Sequence, residues 1–258
     1  MAKDEQGYSR LSQHAWFSVT ILGLLAIILG SIANFGCRTV SIPQYRQGST
    51  GGILRGGSLD SGPFSYRSNQ IVFINNNGTP TNTSEFAFDT CRYYSLLDNF
   101  GHEWDQDSLT TAIRVFASMA VLFGTVGLVG VFLVPCFGTS MFLWNCYGIF
   151  FLLTSIFQGL SLTITSSTLC TNNPILQILG DSSRTSAIRD SFVDECEVYA
   201  GYRCGVVATV FWIIAGLLTL MVPAPEKWKD DWCSHPPQES DDEDDDHIVV
   251  DPPEEKSR

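Results

Sequence analysis

Four possible metal ligands stand close together ahead of a long hydrophobic run: His102, Glu103, Asp105 and Asp107. Carboxylates and imidazoles are common ligands of divalent cations, but this spacing matches no recognised ligand motif. An acidic segment of this kind is also typical of the start of a helix, where carboxylates accept from free backbone N–H groups. We favour the second interpretation, with Asp107 or Ser108 as the capping residue, and expect no metal and no cofactor.

The histidines are scattered, and no nucleophile, general base and orienting group can be assembled from motifs around them. We therefore predict that the protein is not an enzyme. The four histidines are His14, His102, His235 and His247.

Two acceptor patterns for N-linked sugar occur within eight residues, at Asn77-Gly78-Thr79 and Asn82-Thr83-Ser84. A proline directly after Thr79 makes Asn77 the poorer acceptor, so Asn82 is the preferred glycosylation candidate. Glycosylation would require this segment to face a lumen or the cell exterior.

Four stretches that carry no charged residue must position these groups: Ala15 to Cys37, Val115 to Ser140, Met141 to Asn173 and Cys204 to Ala224. At 1.5 Å per helical residue, ~20 apolar residues cross a hydrocarbon core of ~30 Å. The lengths exclude short buried strands. We predict an all-α membrane protein, a bundle of four transmembrane helices with a small β-rich cap.

The second and third stretches are contiguous, and Pro135 to Ser140 divides them. Proline and glycine disfavour a helix interior, while Thr-Ser suits a helix start. The predicted order is as follows: cytosolic N-terminus 1–14, helix 15–35, outer loop 36–112, helix 113–134, cytosolic turn 135–140, helix 141–165, outer loop 166–201, helix 202–222, and an acidic, disordered cytosolic tail 223–258.

The first hydrophobic stretch also resembles a signal peptide, with Lys3 and Arg10 ahead of it and Ser31-Ile32-Ala33 as a small-x-small cleavage site. Its length exceeds the ~7 to 15 residues of a usual signal core, and we favour a retained helix. Cleavage would leave three spans.

The two outer loops share one compartment, and both contain a pair of cysteines. Disulfides form in oxidising compartments, so these cysteines support a lumenal or external location and cytosolic termini. The favoured pairing is Cys37 with Cys91 and Cys170 with Cys196, although four cysteines permit three pairings. The asymmetry of basic residues does not decide the orientation, since loop 36–112 exceeds the ~60 residues over which that rule holds.

The predicted membrane cores contain small and uncharged polar residues. We interpret Gly124, Gly127 and Gly130 as helix-packing positions. A polar stripe, which follows helical spacing in the third span, predicts interhelical hydrogen bonds, with a water-lined path as the alternative. The stripe consists of Thr154, Ser155, Gln158, Ser161 and Thr165.

Five further residues, in or beside the bundle and in the tail, complete the candidates. Arg114, at the outer end of the second span, is interpreted as a snorkelling arginine. Cys136 and Cys146 are interpreted as packing residues. Cys233 is a lipidation candidate. The tail carries most of the net charge of −12, so we expect no nucleic-acid partner, and Ser240 ahead of its acidic run is a phosphorylation candidate.

Several short motifs together resemble a known architecture: Gly36-Cys37-Arg38-Thr39-Val40, Gly62-Pro63-Phe64-Ser65-Tyr66, Cys91-Arg92-Tyr93-Tyr94 and the run from Cys196 to Trp212. They resemble the claudin-like tetraspan proteins, and more closely the uncharacterised tetraspan proteins of diatoms and related algae. The resemblance implies the four-helix fold and a membrane-organising or adhesive role. The Trp-Gly-Leu-Trp-Cys-Cys motif of claudins is absent, so a paracellular barrier is not implied.

Two functions follow as hypotheses. The first is a structural or adhesive protein of the plasma membrane or an endomembrane, whose disulfide-tied cap contacts a protein partner or a second copy. The second is a small channel or carrier that uses the stripe around Gln158.

Overall fold

The computed structural model divides the chain into two compact units, Met1–Lys227 and Trp228–Arg258. Everything described below lies in the first unit. The described residues are 2–47, 53–69, 73–74, 80–81, 90–94, 107–181, 189–193 and 195–225.

Helices account for most of the described chain, because a long apolar stretch that forms a helix satisfies its own backbone hydrogen-bonding groups. The helices are α1 Ala2–Phe35, α2 Ser108–Phe137, α3 Met141–Ser161, α4 Thr168–Thr171, α5 Pro174–Asp181 and α6 Ala200–Met221, with a 3₁₀ segment at Leu162–Ser166 after α3. Among the described residues, four helical stretches are long and apolar enough to cross a membrane: Ser12–Phe35, Ser108–Phe137, Met141–Gln177 and Ala200–Met221. The chain therefore has the build of an integral membrane protein.

The helix ends differ in places from the predicted spans. Helix α1 starts at Ala2, because extending an existing helix costs far less than nucleating one. Helix α2 runs through Pro135 to Phe137, so the turn that was predicted over 135–140 is shorter. Proline lacks the N–H that would bond to the carbonyl of Val131, and the indole Nε1 of Trp16 donates to that carbonyl instead, at 2.8 Å.

The turn between α2 and α3 uses local backbone chemistry. Gly138 has a positive φ of 69°, which glycine adopts without strain, and its N–H bonds to the carbonyl of Val134. Ser140 caps α3, since its Oγ accepts from the N–H of Leu143. Glycine and serine thus end one helix and begin the next within three residues.

The glycines of α2 lie directly against aromatic rings of neighbouring helices. A Cβ atom at Gly124 would come within 2.7 Å of the Trp212 ring on α6, and one at Gly127 within 2.9 Å of Phe151 on α3. At Gly130 the obstacle would be the ring of Tyr147. Any side chain at these three positions would push the helices apart.

The cap contains seven described strands: β1 Val40–Gln47, β2 Ile53–Ser61, β3 Ser65–Asn69, β4 Phe73–Ile74, β5 Pro80–Thr81, β6 Arg92–Tyr93 and β7 Glu197–Val198. Five of them form an antiparallel sheet in the order β6-β3-β2-β1-β7, and β4 pairs with β5 separately. Strand β2 falls in a glycine-rich run, Gly48 to Gly62, whose composition gives little sign of a strand. Its long pairing with β1 overrides the weak propensity of glycine.

The second outer loop contributes the edge strand β7, whose Val198 pairs with Val40 of the first loop. Beneath the sheet lies a core shared by both loops and by the ends of the long helices. Ile113 of α2 and Ile164 of the 3₁₀ segment pack there, so one hydrophobic cluster joins the cap to the helix ends, while a second cluster lies within the bundle. The buried cap members of this core include Val40, Ile42, Leu59, Tyr66, Tyr94, Leu169 and Phe192.

Candidate functional site: the junction between cap and bundle

Three buried polar side chains link α1 to α3 close to the cap. The amides of Asn34 and Gln158 bond to each other twice, with Asn34 Nδ2 to Gln158 Oε1 at 3.0 Å and Gln158 Nε2 to Asn34 Oδ1 at 3.1 Å. Ser161 Oγ donates to Asn34 Oδ1 at 3.2 Å, and Asn34 Nδ2 also reaches the carbonyl of Ala117 on α2 at 3.3 Å. The cluster therefore ties three helices together.

The polar stripe of α3 is directed into the protein. Gln158 is 1% exposed, and Thr154, Ser155 and Ser161 are buried with it, while Thr165 is half-buried. Thr154 and Ser155 bond to backbone carbonyls of their own helix. The polar side chains of the stripe therefore form hydrogen bonds within α3 and between α3 and α1, which stabilise helix packing. Asn34, its partner, was not singled out from the sequence, because one asparagine in an apolar run has no periodic neighbours.

A buried carboxylate fixes the strands that leave α1. Asp60 on β2 accepts from Ser41 Oγ at 2.8 Å and from Ser58 Oγ at 3.1 Å. The Nε of Arg38 lies 3.6 Å from its other oxygen, and Arg38 is partly exposed. The hydrogen bonds and the nearby guanidinium offset part of the cost of burying the charge of Asp60.

The cap core contains a buried phenol, that of Tyr94. Its hydroxyl lies 2.6 Å from Ser61 Oγ and accepts from Asn173 Nδ2 at 3.4 Å, and its ring contacts Tyr66. Burial raises the pKa of Tyr94, whereas the hydrogen bonds with Ser61 and Asn173 lower it. Burial has the larger effect, and the resulting pKa is about 12. Tyr94 thus joins strands of the first loop to Asn173 of the second.

Arg114 extends from α2 into the cap. Its Nε donates to the carbonyl of Pro63 at 2.8 Å, and its guanidinium lies 5.9 Å from the centroid of the Phe64 ring and 5.8 Å from that of Tyr94. These distances are within the range of cation–π interactions. Beside it lies a pocket of about 350 Å³. The described residues that line it are Phe35, Phe64, Tyr93, Tyr94 and Arg114.

The predicted cap of the second membrane helix is confirmed at Asp107. Its carboxylate accepts from the N–H of Thr110 at 2.9 Å and from Thr168 Oγ1 at 3.1 Å. Burial alone would raise the pKa of Asp107, but the hydrogen bonds from Thr110 and Thr168 outweigh it and hold the pKa below the ordinary value of 3.8. Asp107 thereby anchors the short helix α4 to α2.

The cap disulfides have the pairing favoured from the sequence. Cys37 is bonded to Cys91 across 54 residues, and Cys170 to Cys196 across 26. Each bond closes one outer loop.

The described cysteines in or near the bundle include both free thiols and a disulfide-bonded residue. Cys146 and Cys204 are free thiols. Cys136 is disulfide-bonded, so its interpretation as a packing residue is wrong. It stands at the end of α2 opposite the cap, and disulfides by themselves therefore do not distinguish the two faces of the bundle.

The remaining sequence candidates fall outside the described residues, namely Asn77, Asn82, Cys233, Ser240 and the possible metal ligands His102, Glu103 and Asp105. His14 is exposed on α1. Within the described ranges, no three His, Cys, Asp or Glu side chains are grouped so that they could hold a metal ion.

No protein-family model matches the chain, and a comparison with curated proteins finds no significant relative.

Proposed function

We propose that this is a non-enzymatic integral membrane protein that holds a folded, disulfide-tied cap at a membrane surface for contact with another protein or with a second copy. The pairing of β7 with β1 carries the proposal, because it builds both outer loops into one sheet. Two disulfides and a core shared with α2 support the same role. Strands that are held together in this way favour recognition, because less conformational entropy is lost on binding.

The cap presents aromatic and apolar side chains at both edges of its sheet. Tyr93 lies in the edge strand β6, while Val198 and Tyr199 lie at the opposite edge, and all three are exposed. Exposed tyrosines are typical of protein interfaces, since they bury a large area at a low cost in conformational entropy. The resemblance to claudin-like tetraspan proteins agrees with an adhesive or membrane-organising role.

A photo-crosslinking amino acid at Tyr199, introduced into the full chain in cells, tests this proposal. We expect a crosslinked adduct of discrete mass, which is lost when Cys170 and Cys196 are both changed to serine. The same amino acid at Phe132, an exposed position on the bundle, serves as the control for random contact within the membrane. Equal adducts from both positions, or none from Tyr199, would contradict the proposal.

We further propose that the cap faces the lumen or cell exterior and that both termini are cytosolic. The two sequons and the two cap disulfides support this orientation, whereas the disulfide of Cys136 does not. Glycosidase digestion, combined with protease protection of a C-terminal tag, tests it. We expect a mobility shift that Asn82→Gln removes and a tag that is accessible from the cytosol; an unglycosylated cap on the cytosolic side would overturn the orientation.

The alternative of a channel or carrier rested on Gln158, whose amide is bonded to Asn34 and Ser161. We therefore expect no solute flux through liposomes that contain the purified protein. Flux that Gln158→Leu abolishes would replace the proposed role with transport.

A further inference from the structure

Strand β7 is an open edge of the cap sheet. It is the last strand in the order β6-β3-β2-β1-β7, and no described strand lies beyond it. Val198 pairs with Val40 of β1. The next residue, Tyr199, donates its N–H to the carbonyl of Thr39, just ahead of β1, at 3.1 Å. Because successive residues of an antiparallel strand direct their backbone groups to opposite sides, the N–H and C=O of Val198 point away from β1, where another strand can reach them.

Contacts on both sides of β7 hold this edge in place. Cys196, two residues before Val198, is disulfide-bonded to Cys170. After the strand, the N–H of Gly201 bonds to the carbonyl of Arg38 at 2.9 Å, and a Cβ atom at Gly201 would come within 2.8 Å of the same oxygen. An edge that is fixed in this way loses little conformational entropy when a further strand pairs with it.

Charges of opposite sign stand before and after the exposed edge. The four consecutive residues from Glu197 to Ala200 are exposed, and so are Glu195 ahead of them and Arg203 after them. Within the described residues, the side chains of Glu195 and Arg203 take part in no ion pair. The same short surface therefore carries one anion and one cation that are available to a partner.

A second copy of the chain fits this edge, because the edge is complementary to itself. Two β7 strands that pair antiparallel across a two-fold axis at Val198 exchange the backbone bonds that Val198 directs outward. Residues before the axis in one copy then lie beside residues after it in the other. Glu195 of one copy is thereby placed next to the first turn of α6, which carries Arg203, in the second copy. The pairing closes at two copies and gives a dimer.

Helix α6 extends the same surface into the bundle. It begins two residues after Val198, so pairing at β7 brings the starts of both α6 helices together. Because β7 has only two residues, the helices must supply part of the interface. The exposed face of α6 is rich in valine and isoleucine, whose side chains have few rotamers to lose on contact. This face consists of Val206, Val207, Val210, Ile213, Ile214 and Leu217.

We propose that the cap binds a second copy of this chain through the edge of β7, as a two-fold dimer in which Glu195 of each copy pairs with Arg203 of the other. The inference rests on the proposed role of the cap as a contact surface, and it names the partner and the edge that meets it.

Co-purification of two differently tagged full-length copies, co-expressed and extracted in mild detergent, measures the dimer. We expect the natural copies to co-purify. Arg203→Glu in both copies, or Glu195→Lys in both, should lower the yield at least about fivefold, because each change places like charges together twice. An Arg203→Glu copy combined with a Glu195→Lys copy should recover the yield, since every facing pair again has opposite signs. A mixed pair that is no better than either variant with itself would overturn the proposal.

Val198→Pro tests the strand pairing itself. Proline removes the outward N–H of Val198, and edge strands accept proline. We expect co-purification to be lost while the disulfide between Cys170 and Cys196 still forms. Tyr93→Glu, at the exposed opposite edge of the sheet, is the matched control and should co-purify like the natural protein. Co-purification that survives Val198→Pro, or that falls equally in Tyr93→Glu, would overturn the assignment to β7. The exchange of charges remains decisive if Val198→Pro does not fold.

The photo-crosslinking amino acid at Tyr199 separates this inference from the proposed function. We expect its adduct to have twice the mass of the chain. A discrete adduct of any other mass would overturn the second copy as the partner and leave the cap as a contact surface for a different protein. The absence of any adduct would contradict both.

Discussion

The indole Nε1 of Trp16 donates to the carbonyl oxygen of Val131 at 2.8 Å, and Val131 is the residue whose helical hydrogen bond Pro135 removes. A carbonyl without a partner at membrane depth costs several kcal/mol. Helix α1 therefore compensates for a proline in α2. This contact explains how α2 continues past a residue that usually ends a helix.

Replacing Trp16 with phenylalanine should destabilise the protein by about 1–3 kcal/mol, because it leaves the Val131 carbonyl unsatisfied. The free energy of unfolding in detergent measures the loss. Pro135→Ala restores an N–H donor, so Trp16→Phe should cost less in that background. An equal cost in both backgrounds would show that the two residues are not coupled.

The amide pair between α1 and α3 should show coupling of the same kind. Asn34→Leu or Gln158→Leu alone leaves a buried amide without its partner, and we expect each to cost roughly 0.5–2 kcal/mol. The double variant should cost less than the sum, because neither amide is then orphaned. A double-mutant cycle of unfolding free energies is the measurement, and strict additivity would contradict a direct bond.

The phenol of Tyr94 should ionise near pH 12, against 10.0 for an ordinary tyrosine. Its pKa is raised in the folded state, so the stability that it contributes is complete below pH 10 and is lost as the pH rises through about 12. The ultraviolet difference spectrum between the natural protein and Tyr94→Phe isolates this titration. A difference titration centred on the ordinary value would mean that Tyr94 is solvated.

Acid should weaken the start of α2 through Asp107. Its pKa is lowered in the folded protein, so its contribution to stability is present above the ordinary value of 3.8 and is lost as the pH falls through the lower, folded value. Asp107→Asn keeps a capping side chain but cannot titrate. We expect this variant to lose that part of the acid dependence in unfolding experiments, while an unchanged acid profile would assign the effect to other groups.

Loss of the cap disulfides should destabilise the chain by about 3–4 kcal/mol each, because the unfolded chain regains the freedom of a long loop. Cys37→Ser with Cys91→Ser opens the longer loop, of 54 residues, and should have the larger effect on thermal unfolding. Cys204→Ser, which changes a free thiol, is the control. If Cys204→Ser were as unstable as the disulfide variants, the loss of stability could not be attributed to the opened loops.

The sequence predicts the parts of the fold that depend on local chemistry. The uncharged stretches predict the long helices, and Asp107 ahead of such a stretch predicts a helix cap. The path of α2 through Pro135 could not be predicted, because Trp16 is more than 100 residues away along the chain. Strand β2 and the partner of Gln158 were missed for the same reason, since distant contacts determine both.

The placement of β7 has a consequence for biosynthesis. Glu197 and Val198 pair with Ser41 and Val40, so the sheet stays incomplete until residue 198 has left the ribosome. Until then β1 has an unprotected edge, of the kind that invites incorrect association. We expect the nascent first loop to require a chaperone of its compartment until α6 is inserted.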